Sequence, residues 1–177
     1  MNRLTFRQAI ASSEHETAIE EEDEKTGFLF AQDAVIDIVK SYSMAGERVV
    51  EEVESDGNPY QLERDPARIL DIEGLSPNTG YDLWPDGKII LPAGKWTVKY
   101  TAFPLFGKLS IDHPIPLPPM FADAVHWYIS NKYYARLEGE AGTGASYYAR
   151  AFNNACREAE HFYAGQTTRR RMPARRC

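Results

Sequence analysis

Four histidines, two cysteines and one glycine-rich loop are the residues of this 177-residue chain whose types and spacing could do chemistry. Asp112 stands beside His113, and Asp123 lies three residues before His126, a spacing that can share one face of a helix. A zinc site asks for three or four ligands, usually announced by Cys-x-x-Cys or His-x-x-x-His, and neither pattern accompanies His15, His113, His126 or His161. The loop GEAGTGAS, residues 139–146, invites comparison with a phosphate cradle. It lacks the Lys-Ser/Thr pair that reaches phosphate and metal, and it joins two helical patterns instead of following a strand. No Gly-x-Ser-x-Gly is present, and Cys156 and Cys177 have no recognisable histidine partner motif. Among 26 Asp and Glu, no acid/base pair can be singled out. The expectation is a chain that is not an enzyme and takes no cofactor and no metal.

What remains is charge and aromatic rings. The net charge of −6 argues against a general nucleic-acid binder, but it is unevenly placed. Residues 14–24, EHETAIEEEDE, carry seven carboxylates, and residues 169–176, RRRMPARR, carry five arginines. These ends are either solvated runs or contacts to oppositely charged surfaces in an assembly. Tyr128, Tyr133, Tyr134, Tyr147, Tyr148 and Tyr163 could stack bases, as single-strand binders do, yet basic residues are not interleaved with them. A core or a subunit interface suits them better. No apolar run reaches the roughly 18 residues of a membrane span, and the N-terminus does not read as a secretory signal. Two widely separated cysteines suggest free thiols and a cytosolic origin.

The elements that must position these residues divide into four segments: a helical and acidic arm over 1–26, a β-rich region over 27–114, a helical hairpin over 115–165, and a basic tail over 166–177, forming one domain with arms. Leu4, Phe6, Ile10 and Ile19 give the arm a thin apolar stripe, ended by Thr26-Gly27. AVIDIVKSY (34–42) alternates and is β-branched, so it predicts a strand that returns through RVVEEVE (48–54), although a short helix fits its periodicity too. ARILDIEG, YDLW and KIIL read as further strands, the last two joined by Pro85-Asp86-Gly87. KWTVKYTAF is the clearest strand, with Trp96, Val98, Tyr100 and Ala102 on one face. After HPIPLPP the period turns helical. Phe121, Ala124, Val125, Tyr128, Ile129 and Tyr133 form one stripe, Gly139 is a stop, Thr143 or Ser146 is an N-cap, and a second helix carries Tyr148, Phe152, Phe162 and Tyr163 to a close near Gly165. The fold class expected is α+β: an antiparallel C-terminal helix pair and a short N-terminal helix around a small antiparallel β-rich part.

The order of parts, with PLPPMFADAVHWYISNKYYARLEG leading into the first helix and YYARAFNNACREAEHFY in the second, resembles the head-to-tail adaptor (connector) proteins of tailed bacteriophages, including the tubular tail proteins of podoviruses. The likeness covers about residues 95–165 well and 30–95 only in general character. It implies a non-enzymatic ring of twelve copies in the virion neck, made in the host cytoplasm, with portal protein above and tail or nozzle proteins below. It further implies that Phe121, Trp127, Tyr128, Tyr133, Tyr148, Phe152 and Phe162 serve helix packing or the subunit interface. Arg169, Arg170, Arg171, Arg175 and Arg176 would reach the portal, or make passing contact with genomic DNA. The alternative is an accessory protein that contacts nucleic acid through the same arginines.

Overall fold

The computed structural model describes residues 3–17, 24–76 and 79–170, with 166–170 described by backbone alone. The chain is α+β, as its periodicities predict: the described residues form four α-helices, one short 3-10 turn and two small antiparallel sheets. It divides into two compact units, Met1–Ile38 with Phe106–Cys177, and Val39–Leu105.

The first unit is helical. Helix α1 spans Phe6–Thr17 and buries Phe6, Ala9 and Ile10 at helical spacing. Its buried hydroxyls are satisfied locally, Ser13 Oγ donating to Ile10 O at 2.8 Å and Thr17 Oγ1 to Ser13 O at 2.7 Å. Helix α2 spans Glu24–Ser41 and corrects two expectations. Ala31, Ala34, Val35, Ile38 and Val39 are all buried, a three-and-four spacing that belongs to a helix and not to the strand expected over 34–42. The β-rich part therefore begins at Glu47 and not at residue 27. Gly27 is no stop either. It lies inside α2 because a Cβ there would stand 3.0 Å from Tyr133 Oη and 3.1 Å from Ile10 Cγ2. The missing side chain buys close approach between helices. Residues 18–23 of the N-terminal arm, AIEEED, which hold Ile19 of the expected stripe and four of the seven carboxylates, fall outside the described residues.

Helix α3 spans Pro119–Glu138, with Pro118 at the N-cap and Pro119 in the first turn, where the absent N–H costs nothing. Gly139 closes it at φ 80°, its N–H donating to Ala135 O at 3.0 Å. Helix α4 spans Thr143–Arg170, five residues beyond the expected end at Gly165. Neither expected cap serves it. Because Thr143 already lies inside the helix, the Glu138 carboxylate takes the first-turn N–H of Gly144 at 3.0 Å. Ring contacts Phe121–Tyr163, Tyr128–Phe152 and Tyr134–Tyr148 run in opposite order along the two helices, so the pair is antiparallel.

The second unit is a β sandwich in miniature. Strands β1 (Glu47–Ser55), β2 (Tyr60–Gln61), β3 (Pro66–Glu73), β4 (Asp82–Leu83), β5 (Lys88–Ile90) and β6 (Gly94–Ala102) form sheets ordered β1-β6-β3 and β2-β5-β4. The expected face of β6 does turn inward: Val98, Tyr100 and Ala102 join Val53, Leu62, Ile72, Ile89 and Leu91 in one core, with Trp96 packed against it. The β4–β5 turn closes as its Pro-Asp-Gly predicts, Gly87 taking φ 82°.

Candidate assembly surfaces

The residues with possible chemistry are not brought together. Asp112 is held by Arg7, whose Nε approaches Oδ1 at 2.7 Å and keeps the carboxyl below its ordinary range, while Glu24 holds the same guanidinium. His113 Nδ1 instead accepts from the Ser110 N–H at 2.7 Å. His126 Nδ1 donates to the backbone O of Asp123 at 2.6 Å, so at this i, i+3 spacing the ring nitrogen is engaged by backbone and not by the carboxylate. Burial lowers the His126 pKa. Among the described residues no three His, Cys, Asp or Glu cluster as metal ligands would. Cys156 is buried in the helical unit, its thiol pushed up to about 12 by burial.

The seven ring residues expected at packing or subunit contacts separate into three groups. Phe121 and Tyr133 are fully buried, and Tyr148 nearly so, inside the helical unit. Phe121 stacks on Tyr163 at 5.8 Å, Tyr133 meets Phe30 edge-on at 6.0 Å, and Tyr148 receives Trp127 at 6.0 Å and Tyr134 at 5.2 Å. Trp127, Tyr128 and Phe152 are half-buried, Tyr128 packing edge-on against Phe152 at 5.2 Å. Burial and the neighbouring Asp37 raise the Tyr128 hydroxyl pKa, and Lys132 lies over its ring at 5.1 Å. Phe162 departs from the rest: 48% exposed, it touches Tyr163 and stays off the buried stripe of α4. Most of these rings are thus consumed within one chain. What the helical hairpin leaves uncovered is Leu137 at 68%, Tyr147 at 59% and Phe162. Of the arginines expected to reach a portal, Arg169 and Arg170 end α4 in backbone, and Arg171, Arg175 and Arg176 fall outside the described residues.

Sequence reasoning missed a polar cluster in the β unit. Glu51 lies on the inward face of β1 with Val49 and Val53, and its Oε2 accepts from the Tyr100 hydroxyl at 2.9 Å and the Glu63 N–H at 3.1 Å. The Tyr100 hydroxyl in turn accepts from the Arg64 N–H at 3.3 Å, and Arg64 reaches Glu47 at 3.1 Å. Burial, then Glu51, pushes the Tyr100 pKa up to about 12. The signal was present in RVVEEVE, where strict alternation puts one glutamate among the inward valines. A carboxylate so placed needs partners; the cluster supplies them to Oε2, tying the 62–64 segment to the sheet, while Oε1 is buried without a hydrogen bond.

Comparison with known proteins adds no family: no family model and no curated protein matches the chain.

Proposed function

We propose that this chain is a structural protein of a virion neck, a ring that joins the portal of a DNA-filled capsid to the tail. The observation that carries the reading is the division of labour on helix α4. One stripe of that helix is buried against its own unit, while Tyr147 and Phe162 on the same helix stay 59% and 48% exposed, with Leu137 at 68% nearby in sequence. Single exposed apolar residues are ordinary. Exposed aromatic rings on a rigid helix whose neighbours are all engaged are the kind of anchor a protein interface uses.

The resemblance supports the same reading through the proline lead-in and the paired C-terminal helices, and it supplies the twelve-fold count, the portal partner and the tail or nozzle partner. No described helix is long and apolar enough to cross a membrane. The test is to purify tailed particles after infection, locate the chain by mass spectrometry, and image the neck. The expected result is a ring of this chain under the portal. Absence from intact particles would overturn the proposal. Retention on DNA that falls steeply with salt would favour the nucleic-acid reading in its place.

A further inference from the structure

The two edges of the β1-β6-β3 sheet are built differently. Strand β3 begins at Pro66, and its ladder with β6 slips between Pro66 and Arg68 and again between Ile69 and Asp71. A proline and irregular register are devices that blunt an edge against further pairing. Strand β1 has neither. It keeps unbroken register for nine residues, from Glu47↔Ala102 to Ser55↔Gly94, and among the described residues its far side pairs with no strand. On its outward face Val50 is 64% exposed, and Glu52 and Glu54 are exposed too. A hollow of about 410 Å³ opens beside them, lined also by Glu73, Lys95 and Trp96. Lys95 meets Glu54 at 4.0 Å and Lys99 holds Glu73, while Glu52 has no ion-pair partner among the described residues.

Charge decides what fits this edge. A second β1 laid parallel and in register would set Glu52 against Glu52 and Glu54 against Glu54, and an antiparallel one would match only Arg48 with Glu54 and leave Glu52 facing Val50. A basic strand would meet Glu52 and Glu54 through charge-assisted hydrogen bonds. The sequence holds one dense basic segment, RRRMPARR, and the part of it beyond α4 belongs to residues 171–177. Extended, those seven residues span about 23 Å, against about 30 Å for the nine of β1. We propose that the free edge of β1 and its hollow receive the arginine-rich segment 171–177 of a second copy, which adds as a strand. Pro173, which has no N–H to give, takes a place where its nitrogen faces away from the sheet. Edge and segment are different surfaces, so the contact is heterologous and can pass from copy to copy until a ring closes. The inference rests on the ring reading only for the contact being between copies, and it gives the segment to a neighbour where the resemblance gives it to the portal.

Two full-length variants test it: E52K/E54K on the edge and R171E/R175E/R176E on the segment, each checked by circular dichroism for an unchanged fold. In sedimentation at low salt the unaltered chain self-associates, and each variant alone does so about tenfold or more weakly, because like charges now face each other. Mixed in equal amounts, the two recover association, since the arginine segment of the first meets the glutamate edge of the second and the reversed pair matches as well. A mixture no stronger than either variant alone overturns the inference. If both variants assemble as the unaltered chain does, the edge is not the seat, and the ring reading survives. If the chain is a monomer whose β1 amides lose exchange protection in the segment variant, the segment docks within its own chain and the second copy is excluded. A segment variant that self-associates normally but fails on purified portal returns the arginines to the portal and overturns the inference too.

Discussion

The helical unit and the β unit handle their polar and aromatic side chains in opposite ways. The helical unit spends its rings inside, pairing them across α3 and α4, and exposes only Leu137, Tyr147 and Phe162 among its hairpin's large apolar residues. The β unit buries a carboxylate and a tyrosine hydroxyl beneath β1, and leaves that strand's outer edge open and acidic. The difference separates two jobs that look alike in sequence. A ring on a helix is first a core residue, and only the rings left over are available to a partner. A glutamate on a strand is first a surface residue, and only the one in phase with the valines is structural.

The contrast can be broken by substitution, and the largest effect belongs to the helical core. Phe121→Ala should cost about 3–5 kcal/mol in chemical unfolding, because the ring is fully buried against Tyr163. Tyr147→Ala and Phe162→Ala should change the same measurement by less than about 0.5 kcal/mol and act on assembly instead. If Phe162→Ala proves as damaging to the free chain as Phe121→Ala, the division between inner and outer rings is wrong.

The β unit gives the next effect. Tyr100→Phe removes the hydroxyl that donates to Glu51 and accepts from Arg64, leaving a buried carboxylate with one fewer donor. Destabilisation of about 1–3 kcal/mol is expected by thermal unfolding. A neutral outcome would mean that the cluster is solvated and does not tie the 62–64 segment down.

The smallest effect is a pH slope from His126. Burial holds its folded pKa below the unfolded value of about 6.5, so the unfolded chain binds a proton that the folded chain resists. Stability from this group is therefore full above about 6.5 and declines as pH falls below it. Asp123, whose carbonyl accepts from Nδ1, and Glu16 oppose the shift without reversing it. Melting temperature should drop between pH 7 and pH 5, and His126→Gln should flatten that drop.

Much of the β unit was legible because its strands are short and their signals local: Pro85-Asp86-Gly87 can make only a tight turn, and KWTVKYTAF alternates over its full length. The C-terminal hairpin was legible for the same reason, through Pro118-Pro119 and Gly139. Helix α2 was not. AVIDIVKSY, in its C-terminal half, is β-branched enough to pass for a strand, and Ala31, which extends the helical period upstream, lies just outside that stretch, in the short span after Gly27. That glycine reads as a stop in sequence and serves close packing in space, against Tyr133 more than a hundred residues away. The surfaces proposed for assembly were the least legible. Which rings stay outside depends on how α3 and α4 mesh, and the openness of β1 depends on its place at the end of the order β1-β6-β3, and neither is a property of one segment.

The most direct test of the proposal that this chain assembles is the mass of the purified full-length chain, alone and mixed with the portal protein that the proposal gives it as partner, by native mass spectrometry. The account predicts a single closed multimer of fixed copy number that forms on the portal if not before. A chain that stays one copy in size under both conditions would contradict it.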